Sequence, residues 1–190
     1  MADGTRPSAR KRILLTAYDL FSQRGVRDVS VDEIIRTSGV AIATFYRHYS
    51  SKNELAAEFL KLRAEVWSTD AVVAESRRRT LDPRARLLAI FDIFDEWFRR
   101  DDFEGDSFVN VLIEMGPDHP LGRASIEHLG DVRQSVQRMA EEASLRDPVD
   151  FGHTFQILMK GAIIAAMMGD TDAARRAKGV AEMLIDSHTP

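Results

Sequence analysis

The 190-residue sequence contains no cysteine. That absence removes disulfides, thiolate metal sites and cysteine nucleophiles, and it fits a cytoplasmic protein. Long apolar runs are missing too. The longest, Ile157 to Gly169, is broken by Lys160 and is too short to cross a bilayer, so no membrane association is expected. Arg10, Lys11 and Arg12 ahead of an apolar stretch look superficially like a signal peptide. Asp19, Gln23 and Arg24 interrupt that stretch at helical intervals, which makes it an amphipathic helix instead. A complete set of catalytic or ligating groups is lacking as well. His119, His128 and His153, with Asp118 and Asp150, are the only material for a metal or acid–base site. Asp150 and His153 share a helix face, but nothing supplies further ligands or a nucleophile. No metal, cofactor or catalytic residue is expected.

Strong charge of one sign is absent, at −4 overall, but its distribution is uneven. Residues 1–60 carry nine Lys/Arg against seven Asp/Glu, while residues 61–190 carry seventeen against twenty-three. A mildly basic N-terminal segment beside an acidic remainder confines any polyanion footprint to one end.

What is present is helical periodicity throughout, with no strand-like alternation, repeat or low-complexity tract. Residues 1–8 read as a polar, flexible tail. Ile13, Ala17, Leu20 and Phe21 mark one buried face of a helix from Ala9 to Arg24, ended by Gly25. Ser30 with Glu33 three residues on is a capping-box signature that opens a second, short helix closed by Gly39. A third covers about Ala41 to Tyr49. Ser51 can cap a long helix from about Lys52 to Arg79. Pro83, Ser107, Leu121, Val149 and Thr171 each begin, within a residue or so, one further helix. The chain is expected to be all-α with about nine helices. A helix-turn-helix domain of three helices occupies 9–58, and a helical ligand-binding and dimerisation domain occupies 59–190.

A helix-turn-helix reads DNA by placing its short second helix in the major groove while the first crosses the backbone. On a helical projection Ile42, Phe45 and Tyr49 fall on one inner line, and Ala43, Thr44, Tyr46 and Arg47 project away, with His48 at the margin. Ala43 permits close approach to a thymine methyl, and Thr44, Tyr46 and Arg47 can meet bases or phosphates. Ser30, at a helix N-terminus, offers a hydroxyl and backbone N–H groups to one phosphate. Lys52 stands at another N-terminus, where a cation suits the helix dipole only if an anion joins it.

These residues carry a family resemblance. Ile13-Leu14 through Ala17, Leu20-Phe21, Arg24-Gly25 and Ser30-Val31-Asp32-Glu33-Ile34 resemble the start of the TetR family of bacterial regulators, and Gly39 through Leu55 is similar to that family's recognition segment along its whole length. The resemblance is specific over about residues 10–60. It implies a homodimer whose N-terminal domains bind a palindromic double-stranded DNA operator, and a C-terminal domain whose small-molecule effector releases repression. By motif position it implies DNA contacts at Ser30, Ile42, Ala43, Thr44, Tyr46, Arg47, His48 and Lys52. Ala43 stands where glycine is common, and Ala41 lacks the polar cap often found there, so base preference does not carry over.

In the C-terminal domain, Phe91, Phe94, Trp97, Phe108, Leu112 and Met115 can line an apolar cavity, which points to a mainly hydrophobic or aromatic effector. The small residues Gly161, Ala162, Ala165, Ala166 and Gly169, with the amphipathic last helix, fit a four-helix dimer interface built on Phe155, Leu158, Ala162, Ala165, Ala166, Val180 and Leu184. Two other readings stand beside this one: a helix-turn-helix regulator with no small ligand, controlled by a protein partner or constitutive, and an all-α enzyme using the acidic domain.

Overall fold

The computed structural model describes residues 7–66 and 69–190. Among these residues there are ten helices and no strand: α1 (Ala9–Arg24), α2 (Val31–Ser38), α3 (Ile42–His48), α4 (Lys52–Val66), α5 (Thr69–Arg79), α6 (Pro83–Phe98), α7 (Ser107–Met115), α8 (Pro120–Glu142), α9 (Pro148–Met167) and α10 (Ala173–Ser187). The single long helix expected from Lys52 to Arg79 is thus described as α4 and α5, with Trp67 and Ser68 outside the described residues. Of the expected tail, residues 1–6 also lie outside them, and Ser8 is the N-cap of α1, its Oγ accepting from the Lys11 amide at 3.3 Å.

The chain divides into two units, one of residues 7–66 with 107–126, the other of residues 69–106 with 127–190. The first unit contains α1–α4, α7 and the start of α8. Its core is the meeting of α1, α2 and α3 with α4: Ile13, Ala17 and Phe21 from α1, Ile34 from α2, Phe45 from α3, and Leu55 and Phe59 from α4 are all buried. Phe59 takes the rings of Tyr18 and Phe21 edge-on, at 5.7 and 5.5 Å. Helices of seven and eight residues have little stability in water on their own, so α2 and α3 exist because this packing holds them.

The second unit is built around α6, which is buried on most sides through Leu87, Ile90, Phe91, Phe94 and Trp97. Proline at the first position and the Asp82 side chain, accepting from the Arg84 amide at 3.1 Å, start this helix as its sequence implies. Phe151, Phe155 and Met159 of α9 and Val136, Met139 and Ala140 of α8 complete the same apolar cluster. On α10 the buried positions are Ala173, Ala174, Ala177, Ala181 and Ile185, and the small side chains let α10 lie close against α6 and α9. Lys178 of α10 ties that contact at its edge by meeting both carboxylate oxygens of Asp92, at 2.7 and 2.8 Å. At the end of α5, Arg78 and Arg79 both clamp Glu75, and their hydrogen bonds hold its carboxyl down to about 2. No helix among the described residues is long and apolar enough to cross a membrane.

Candidate nucleic-acid interface

The turn between α2 and α3 depends on Gly39. It adopts the left-handed conformation, φ +63°, and its N–H bonds back to the carbonyls of α2, so the chain reverses direction within Gly39-Val40-Ala41. No side chain caps α3, consistent with alanine at position 41. The helix is anchored instead by two aromatic residues one turn apart, the fully buried Phe45 and Tyr49, whose ring centroids lie 6.1 Å apart. The Arg10 guanidinium stands 5.7 Å over the Tyr49 ring and reaches Glu58 of α4 at 2.6 Å. Burial, with the Glu58 carboxylate beside it, pushes the Tyr49 phenol well above its ordinary value, so it stays neutral and serves as packing.

With that inner edge fixed, Ala43, Tyr46 and Arg47 are exposed on the outside of α3, and Thr44 and His48 are half-buried at its margins. Tyr46 is 54% exposed, its ring edge-on to Phe45 at 5.3 Å, which orients the hydroxyl outward. Ile42 departs from the helical projection. It is 62% exposed and takes no part in the inner line. As the first residue of α3 it has no preceding helical turn beside it, so its side chain leaves the core and joins the outer face, where the family resemblance puts it.

The expected cap at Ser30 is present: its Oγ accepts from the Glu33 amide at 3.1 Å. The reciprocal half of the box is not used, because Glu33 turns to Arg24 at 2.6 Å. A closer relative of the box opens α4, with the glutamate reaching the residue before the cap. Ser51 Oγ accepts from the Glu54 amide at 3.2 Å, and Glu54 accepts from the Ser50 N–H and hydroxyl, both at 2.7 Å. Those bonds from Ser50 hold the Glu54 carboxyl below the usual carboxylate range.

Lys52 is engaged within the chain. Its ammonium donates to the carbonyls of Val26 at 2.9 Å, Arg27 at 3.3 Å and Val29 at 3.0 Å, so the loop between α1 and α2 takes all three of its N–H donors. Three carbonyl dipoles thus supply a negative partner for this lysine at a helix N-terminus. The same loop is gripped from its other side by Glu114 of α7, whose Oε2 accepts from the amides of Val26 at 2.9 Å and Arg27 at 3.1 Å. No sequence pattern pointed to Glu114.

The other expected residues separate by environment. Phe91, Phe94 and Trp97 are interior to the second unit, with successive centroids 6.0 and 5.8 Å apart. Phe108, Leu112 and Met115 lie on α7 in the first unit, Phe108 buried and the other two half-buried. Of the residues expected at a dimer interface, Phe155 and Ala162 face inward: Phe155 is fully buried against Phe91 and Phe151, at 5.3 and 5.4 Å, and has no surface to offer a partner. Leu158, Ala165, Ala166 and Leu184 are half-buried and Val180 is exposed. The exposed apolar line on α9 runs instead through Ile157, Gly161, Ile164 and, just beyond the helix end, Met168, a spacing of four, three and four residues. On α10, Val180 and Met183 are exposed. Among the described residues no group of three or more His, Asp or Glu is placed to hold a metal ion.

Comparison with known proteins bears on the same segment. The sequence pattern described as "Bacterial regulatory proteins, tetR family" matches residues 13–59. The transcriptional activator FasR of Mycolicibacterium smegmatis is 31% identical over 96 residues, covering 50% of this chain and 43% of its own. The putative mycofactocin biosynthesis regulator MftR of Mycobacterium tuberculosis is 34% identical over 85 residues, covering 42% of this chain and 40% of its own. Each of these matches spans less than half of the curated relative. Solved structures cover nearly the whole chain. A TetR-family regulator from Streptomyces coelicolor superimposes with a TM-score of 0.85 at 26% identity, covering 96% of both chains. A putative TetR-type regulator from Streptomyces avermitilis gives 0.82 at 26% identity, over 96% of this chain and 98% of that one.

Proposed function

The chain belongs to the TetR family of bacterial transcriptional regulators, and from that premise we propose that it is a cytoplasmic homodimeric repressor, held on a palindromic operator until a small, mainly apolar or aromatic effector releases it. The observation that carries the DNA half of this reading is the two-sidedness of α3. Phe45 and Tyr49 are fixed in the core while Ile42, Ala43, Tyr46 and Arg47 stand outside it, with Thr44 and His48 at the edges. Ser30 supplies a hydroxyl at the N-terminus of α2 for a backbone phosphate. Seven of the eight contacts that the family resemblance implies remain in this reading, and Lys52 acts through the loop it holds.

The exposed line Ile157, Gly161, Ile164 and Met168 on α9, with Val180 and Met183 on α10, supports the dimer. Apolar side chains in a regular row on neighbouring helices are what a four-helix interface buries, and the glycine lets backbones approach. In a two-fold dimer the two copies of α3 must lie about 34–36 Å apart to enter successive major grooves. An effector then releases DNA to the extent that it prefers a different separation. An apolar effector among Phe91, Phe94 and Trp97 would have to open space between rings that now pack against one another.

A second output is favoured by one relative: FasR is an activator, so the same DNA contacts can serve activation. The deciding experiment selects bound fragments from random DNA with the whole chain, then screens small apolar compounds for release and follows a reporter downstream of the fragment. A repressor lowers reporter output and the effector restores it. Recovery of no preferred fragment rejects the proposal.

A further inference from the structure

The loop of residues 25–30 joins α1 to α2 and ends on Ser30, the N-cap of α2. Its backbone is held between two opposite charges. The Lys52 ammonium accepts no bonds and donates to the carbonyls of Val26, Arg27 and Val29; the Glu114 carboxylate donates none and accepts from the amides of Val26 and Arg27. The peptide group formed by the Val26 carbonyl and the Arg27 N–H is therefore held at both ends, by a cation on α4 and an anion on α7, and each bond gains from the ionised partner. The two valines of the loop, Val26 and Val29, are fully buried beneath it.

Lys52 is a sequence neighbour of the helix-turn-helix, but Glu114 is 88 residues away from Val26 along the chain. Gly25 is shaped to admit it. It has φ +82°, and a β-carbon there would overlap the Glu114 carboxylate. A loop whose only task was to connect two helices could leave the exposed Arg27 amide to water. Here a charged side chain from α7 is built into place instead, on amides three and four residues before the one expected to meet a DNA phosphate.

We propose that Glu114 is a positioning residue for DNA binding: by fixing the amides of Val26 and Arg27 it sets the place of Ser30 and the N-terminus of α2 on the DNA backbone. This rests on the reading of α2 and α3 as the DNA-binding unit. Glu114 touches no DNA. It acts through the loop, and its loss should resemble the loss of the Ser30 contact.

The test is a double-mutant cycle with the DNA fragment selected by the unaltered chain. E114A and S30A should each weaken binding about tenfold, within the range for loss of one anchoring contact. Neither should lower the steepness of the salt dependence, because the Ser30 hydroxyl is uncharged and its bond to a phosphate releases no counterion. The double variant should be no weaker than either single one, because both remove the same contact. Amide exchange at Val26 and Arg27 should quicken in E114A and stay unchanged in S30A. E114Q keeps the shape and an oxygen acceptor, so it folds in any event and should show a smaller loss with intermediate exchange. Effects of E114A and S30A that multiply overturn the inference. So does faster exchange at 26 and 27, in either Glu114 variant, with no change in affinity. If S30A and Y46A both bind as the unaltered chain does, the DNA-binding reading of α2–α3 falls first; if they weaken binding and the Glu114 variants do not, only the role of Glu114 falls.

Discussion

The ammonium of Lys52 donates to the carbonyl oxygen of Val26 at 2.9 Å, across 26 residues of chain, and the same nitrogen reaches Arg27 and Val29. A lysine in that position is a structural clasp. Lys52→Met keeps the apolar stem and removes the donors, leaving three carbonyls to find water. It should destabilise the chain by roughly 1–3 kcal/mol, the cost of unmet partly buried hydrogen-bonding groups, read as a lower urea midpoint with unchanged slope. An unchanged midpoint together with a shallower salt dependence of DNA binding would instead make Lys52 a phosphate contact.

Tyr46 should contribute to recognition and hardly at all to folding, because it is more than half exposed while its neighbour Phe45 carries the packing. Tyr46→Ala should weaken operator binding by roughly 1–3 kcal/mol with the melting temperature preserved. Phe45→Ala should do the reverse first, losing about 3–5 kcal/mol of stability, as truncation of a buried phenylalanine does. Calorimetry and binding isotherms on the two variants separate the roles; equal loss of stability in both contradicts the assignment.

The row Ile157, Gly161, Ile164 and Met168 makes a prediction about assembly. Ile164→Asp places a charge in a surface that a partner must desolvate, so the chain should sediment as a monomer while keeping its helical content. Phe155→Asp, at a buried neighbour in the same helix, should unfold it instead. A dimer that survives Ile164→Asp moves the interface elsewhere.

His128 supplies a pH dependence in the second unit. Burial, chiefly, holds its imidazole below the ordinary value of 6.5; Lys160 acts in the same direction, while Asp106 and Asp131 oppose it. A lowered value in the fold means that the unfolded chain takes up the proton first. Stability should therefore fall as pH drops through 6.5 toward the lower folded value, and level out below it. The stability difference between the unaltered chain and His128→Gln, measured by urea unfolding at pH 7.5 and 5.5, should shift against the unaltered chain at the lower pH. A constant or opposite difference rules this out.

Helix starts were legible because they are written in local chemistry. Ser30 before Glu33, Ser51 before Glu54, and prolines 83 and 148 at first-turn positions all announce themselves within four residues. The two anchors of α3, Phe45 and Tyr49, followed from the helical period. Ile42 did not, since a periodic projection assumes a full helix on either side, and the first residue of a seven-residue helix has none before it. The clasp of Lys52 and Glu114 was illegible for a different reason. Its partners are backbone groups, which every residue carries, so no side-chain pattern marks them. On α9 both the interior and the exposed side are apolar, and a sequence cannot say which of two apolar sides faces its own core; hence the periodicity points to Phe155 and Ala162, which face inward, as readily as to the exposed Ile157 and Ile164.

Because α3 has no capping side chain and is held by Phe45 and Tyr49 alone on its inner edge, the letters on its outer edge are free to vary. Substitutions at Ala43, Thr44, Tyr46 and Arg47 replace exposed or half-buried side chains and keep the buried anchors and the Gly39 turn, losing only the Tyr46 ring's contact with Phe45. Duplicated copies of such a gene can therefore drift to new DNA targets one side chain at a time, each intermediate still a folded protein, and a library randomised at those four positions is a practical route to regulators with chosen operators.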